Sequence, residues 1–113
     1  MRELDDRNQQ DREVKTRILG HCENPRSVSI TRTALQDLGL IPLTKDAVLE
    51  VVKEHIELKR RMFADQMDNG DVAYIIRECT VDGTILFVKA KFFQNNGVQA
   101  MVIVSAHPPR RWC

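Results

Sequence analysis

From Thr84 to Phe93 two lysines alternate with large apolar side chains. In an extended strand Leu86, Val88, Ala90 and Phe92 point one way, and Ile85, Phe87, Lys89, Lys91 and Phe93 the other. The second face is cationic and aromatic, which suits a phosphate backbone with bases stacked nearby. An edge strand whose lysines discourage aggregation would show the same alternation. His107 follows the last apolar segment and precedes Pro-Pro-Arg-Arg-Trp, so Arg110 and Arg111 stand close to it in sequence. An imidazole titrates near neutral pH and can serve as a general acid or base beside a cleft. Lys59-Arg60-Arg61 forms another basic spot.

Tyr74, the sole tyrosine, lies in a segment joined to the lysine strand through Asp82-Gly83. Counting outward from that turn pairs Val81 with Thr84, Glu78 with Phe87, Arg77 with Val88 and Tyr74 with Lys91. The register predicts that Tyr74, Glu78, Lys89 and Lys91 share one face, although it depends on the strands being free of bulges. Core packing of Tyr74 fits the sequence as well. His55 falls on the apolar stripe of a helix and reads as a core or boundary residue, and His21 reads as a helix-end residue.

The chain has no Gly-rich phosphate loop, GxSxG elbow, HExxH or EF-hand loop. Asp65, Asp68 and Asp71 are evenly spaced but lack the glutamate that closes a calcium loop. Cys22, Cys79 and Cys113 form an odd, widely spaced set, and with His21 and His107 they lack the short spacing structural zinc prefers. No metal and no cofactor is expected: a two-metal nuclease needs clustered acids near the basic strand, and Glu78 is the only one the pairing above places there, so any cutting of nucleic acid would proceed without a metal.

The elements that must position these groups fit one domain of 113 residues, with 42% hydrophobic and 29% charged residues. The longest uncharged apolar run, Met101 to Ala106, is too short for a bilayer, and the charged N-terminus has no secretion-type apolar region. A cytoplasmic domain with reduced thiols and no membrane partner is the expectation. The net charge is +1, yet from Thr84 onward all the charges are basic and sum to +4, leaving −3 for the rest. Local charge favours a nucleic-acid partner more than global charge does.

Residues 1–9 are polar enough to be disordered or loosely ordered. Apolar spacing predicts a helix from Gln10 to Leu19 ended by Gly20, a strand from Arg26 to Thr31, and a helical turn over Thr33 to Leu40. Thr44 is a good N-cap for a helix with Val48, Val51, Val52, His55 and Ile56 on its apolar stripe. Strands follow at Arg61–Gln66, Val72–Thr80, Thr84–Phe93 and Val98–Ala106, with turns at Asp68-Asn69-Gly70-Asp71, Asp82-Gly83 and Asn95-Asn96-Gly97. The last strand is apolar enough to be central and covered on both faces. The order implies an α+β fold, an antiparallel sheet with two or three helices on one face.

Thr31-Arg-Thr-Ala-Leu-Gln-Asp-Leu-Gly-Leu40, the helix Ala47–Ile56, Leu86-Phe-Val-Lys89 and Met101-Val-Ile-Val-Ser-Ala106 resemble, in order and spacing, the MqsR family of bacterial toxins. The resemblance covers roughly residues 12 to 107. It implies a RelE-like domain that cleaves mRNA without a metal, belongs to a type II toxin–antitoxin pair, and is neutralised by a cognate antitoxin protein. DNA binding by the chain alone is not implied. Carried over by position, the family's strand lysine falls on Lys89, its strand tyrosine on Phe87, and its basic residue after the last strand on His107. Its basic position after the main helix falls among Lys59, Arg60 and Arg61, and its Gln-Asp-x-Tyr strand is reduced to Asp71-Val-Ala-Tyr74.

The resemblance implies attack of a 2′-OH on the adjacent phosphate. Lys89, Lys91 and Arg61 would stabilise charge, His107 would be acid or base, and Tyr74 would position or share the proton. Lys91, Phe87, Lys59, Arg60, Arg110 and Arg111 would bind RNA. The other reading is a non-catalytic RNA- or protein-binding domain of the same fold, favoured by the near-neutral pI and by Phe87 in place of tyrosine.

Overall fold

The computed structural model describes residues 1–39, 44–81 and 84–107, and the side chains of all these except 38–39, 77–81, 84–85 and 107. The elements run β1 (Arg2–Glu3), α1 (Gln9–Glu23), a 3-10 turn (Pro25–Ser27), β2 (Val28–Ile30), α2 (Arg32–Gly39) and α3 (Lys45–Glu57). Then come β3 (Phe63–Gln66), β4 (Val72–Val81), β5 (Thr84–Asn95) and β6 (Val98–His107).

Local chemistry explains most boundaries. The Asn8 side chain caps α1 by accepting from the Gln10 and Asp11 amides at 2.9 and 3.2 Å. The helix runs through Gly20, where a stop was expected, because His21 and Cys22 are buried on the core side. It ends at Asn24, before Pro25. Thr31 caps α2 through the Ala34 amide at 3.2 Å, and Thr44 caps α3 through the Ala47 amide at 3.2 Å. Lys59 closes the α3 exit with φ +56°, and its amide donates to the Ile56 carbonyl at 2.9 Å. Asn96 and Gly97, at φ +53° and +79°, make the two-residue β5–β6 turn with both residues left-handed.

Among the described residues the six strands form one sheet in the order β1-β3-β4-β5-β6-β2. The fold is α+β, but the sheet is mixed rather than purely antiparallel. β2 adds to β6 in parallel, with Val28 opposite Met101 and Ile30 opposite Ile103. β6 is therefore flanked on its outer side only by a three-residue strand, and Val102 and Val104 are half-buried rather than covered. Residues 1–9, expected to be loose, are tied down: Glu3 pairs with Phe63, and the Leu4 amide donates to the Met62 carbonyl at 2.8 Å. Asp11, only 3% exposed, accepts both guanidinium amino groups of Arg2 at 2.8 and 2.9 Å and the Asp5 amide at 2.9 Å.

The helices pack on one face of the sheet. Ile18 from α1 and Val48, Leu49, Val52 and Ile56 from α3 meet Ile76, Leu86, Val88, Met101 and Ile103 in the main core. Ala73, Ile75 and Ala100 are also buried but stand apart from that core, on the opposite face. Two bulges set which residue faces where. On β4, Ile76 pairs with Val88 and Cys79 with Leu86, so Arg77 and Glu78 both stand opposite Phe87. On β6, Val104 is the extra residue between the Lys89–Ser105 and Ala90–Ile103 pairs.

Candidate functional site

Cross-strand register defines the face turned away from the helices. One row runs Glu3, Phe63, Ile75, Lys89 and Ser105 across β1, β3, β4, β5 and β6. Directly paired residues share a face, and alternation along β5 adds Phe87, Lys91 and Phe93. The lysine–aromatic face expected from the sequence is therefore present, with Phe63 added from β3. Its phenylalanines are half-buried.

Tyr74 does not belong to it. The extra β4 residue shifts the register, so Tyr74 pairs with Ala90 instead of Lys91. The Val81–Thr84 pair nearest the turn is as expected, but beyond the bulge each β4 residue faces the other way. Tyr74 lies on the helix side, with its ring centroid 5.5 Å from that of Phe92. Burial pushes its hydroxyl pKa up, and the charges of Arg17 and Arg2 oppose that shift. The predicted patch of Tyr74, Glu78, Lys89 and Lys91 is thus divided, and the Glu78 side chain lies outside the described ones.

Arg61 stands at the β3 edge of the open face, its guanidinium carbon 5.2 Å from the Phe63 ring centroid. His55, in the last turn of α3, holds this segment through a 2.8 Å hydrogen bond between Nε2 and the Arg61 carbonyl. Lys59 and Arg60 are exposed in the same connection. The backbone register sets His107 opposite Phe87, two positions from the Lys89–Ser105 pair. Its side chain, and all of Arg110 and Arg111, lie outside the described residues.

Electrostatically the face differs from the cationic strip the sequence suggests. Lys89 Nζ lies 3.6 Å from Asp65 Oδ2, and Lys91 Nζ donates to Asp71 Oδ2 at 3.0 Å. Arg61 donates to both carboxylate oxygens of Glu3, at 2.8 and 3.3 Å, and holds that carboxyl below the usual glutamate range. Three basic side chains are thus matched by three carboxylates. Spacing along the chain could not reveal this, because Asp65 and Asp71 reach β5 from β3 and the β3–β4 turn, across the intervening β4. Such exposed pairs contribute about 0–1 kcal/mol each, so an incoming phosphate can replace the carboxylate at small cost.

Among the described residues no group of three or more His, Cys, Asp or Glu side chains is placed to hold a metal ion. No described helix is long and apolar enough to cross a membrane. No family model, curated protein or solved structure matches the chain.

Proposed function

We propose that the chain is a metal-independent endoribonuclease of the RelE-like toxin class, which takes single-stranded mRNA over the open face of its sheet. The observation that carries this reading is the array on that face: Lys89 and Lys91 between Phe87 and Phe93 on β5, with Arg61 over Phe63 at the edge. Aromatic rings accept stacked bases whatever their sequence, and lysine and arginine neutralise phosphates. The resemblance to the MqsR family adds the reaction and a cytoplasmic setting, with a cognate antitoxin as partner.

The 2′-OH loses its proton to a base and its oxygen bonds to the adjacent phosphorus. The bond from phosphorus to the 5′ oxygen then breaks, and that oxygen takes a proton from an acid. The products are a 2′,3′-cyclic phosphate and a 5′-OH. Lys89 and Arg61 would neutralise the charge developing on the phosphorane, and His107 would carry a proton. Tyr74 is left out of the set because it lies on the other face.

The carboxylate partners of Lys89, Lys91 and Arg61 favour a second reading, a domain that binds RNA or a protein without cutting. Expression from a tight promoter separates the two. A ribonuclease toxin arrests growth, whereas the Lys89→Ala, His107→Ala double variant does not; growth unaffected by the wild-type chain contradicts the toxin reading.

A further inference from the structure

A different set of polar groups meets on the helix side of the sheet. Arg17 and His21 are four residues apart on α1 and so lie along one side of it. Both reach Phe92 of β5: the Arg17 guanidinium carbon is 4.0 Å from the ring centroid, and the His21 ring centroid is 5.8 Å away. Tyr74 flanks the same ring at 5.5 Å.

Arg17 is held in place without being neutralised. Its Nε donates to Gln99 Oε1 at 3.0 Å, and Phe92 lies beneath its plane-forming carbon. Among the described residues its two terminal amino groups have no acceptor, and no carboxylate pairs with it. Lys89, Lys91 and Arg61 are each paired with one. A guanidinium fixed through Nε, with both amino groups unused, presents the fork that binds phosphate oxygens two at a time.

His21 complements it. Its Nδ1 is 2.6 Å from Ser27 Oγ, and the Ser27 hydroxyl donates its own proton to the Asn24 carbonyl at 2.8 Å. The hydroxyl therefore accepts, Nδ1 carries the imidazole proton, and Nε2 is left without a protein partner among the described residues. Burial, then the charge of Arg17, pushes the His21 pKa down.

We propose that Arg17, His21 and Tyr74, gathered around Phe92, bind a nucleotide. The guanidinium takes the phosphate oxygens, and His21 Nε2, which carries no proton, accepts a hydrogen bond from a ribose hydroxyl. The half-buried Tyr74 ring supplies the aromatic surface for the base, and Phe92 supports the Arg17 guanidinium. This site stands on the opposite face from Lys89 and does not depend on the ribonuclease reading.

The test is an NMR titration of the full chain, following the His21 imidazole signals as uridine 3′-monophosphate, inorganic phosphate or uridine is added. The nucleotide should shift the His21 signals and bind more tightly than either inorganic phosphate or uridine. Arg17→Ala should weaken it about tenfold or more, and Arg17→Lys, which keeps the charge but loses the fork, should also weaken it. Lys89→Ala should leave it unchanged, which separates this site from the open face. Equal binding of inorganic phosphate or of uridine overturns the nucleotide assignment. Undiminished binding by folded Arg17→Ala, or His21 signals unmoved at millimolar nucleotide, overturns the site.

Discussion

If RNA lies on the open face, Asp65 and Asp71 compete with its phosphates for Lys89 and Lys91. Replacing both with asparagine should then strengthen binding. The lysines are 22% and 24% exposed and their carboxylates 38% and 51%, so solvent screens both pairs. Each such pair contributes about 0.2–1 kcal/mol. Releasing two removes about 0.4–2 kcal/mol of competition, or about 2- to 30-fold in Kd. The Asp65→Asn, Asp71→Asn variant can be compared with wild type by fluorescence anisotropy on a labelled oligouridylate over a series of salt concentrations. Its dependence on salt should steepen as well, by up to about 0.7 in log–log slope per lysine newly on a phosphate. Unchanged or weaker binding by the folded variant would refute the competition, and with it the placement of RNA on this face.

Other consequences concern the scaffold. Asp11→Ala removes three hydrogen bonds from a carboxylate that is 3% exposed. It should cost about 2 kcal/mol in urea unfolding at neutral pH, less than for a fully buried pair because Arg2 is 61% exposed. The hydrogen bonds from Arg2 hold the Asp11 pKa down. Its stabilisation is therefore complete above the ordinary aspartate value and lost as pH falls through the lowered one, so the variant should lose less stability than wild type on acidification. Cys22 is buried, and desolvation pushes its thiol up to about 12. Alkylation followed by peptide mass spectrometry should find Cys22 protected in the native chain and labelled in urea, since about a thousandfold less thiolate is present than for an ordinary cysteine. Rapid native labelling would contradict its burial.

What the sequence made legible was local. Thr44 announced α3, and Asn96-Gly97 announced a tight hairpin, because caps and left-handed turns are short-range chemistry. The strand over Phe87, Lys89, Lys91 and Phe93 could be read from alternation alone. Long-range pairing was hidden. Val28–Ile30 is three residues long and finds its parallel partner some seventy residues later, so nothing nearby marks its place. One extra residue on β4 turned Tyr74 to the helix side, a reversal that counting from a turn misses unless the bulge is known. Asp65 and Asp71 look like loop acids until β3 is set beside β4. Arg17 and His21 look like ordinary helix polars until α1 is laid across Phe92.

Everything proposed for the open face rests on its cutting RNA. Its most direct test is incubation of the purified chain with end-labelled single-stranded RNA in excess chelator, with Lys89→Ala in parallel and product ends identified by mass spectrometry. Wild type should give fragments ending in 2′,3′-cyclic phosphate and 5′-OH, with cleavage reduced at least tenfold, about 1.4 kcal/mol of lost transition-state stabilisation, in the variant. Intact RNA with wild type, or equal cleavage by Lys89→Ala, would contradict it.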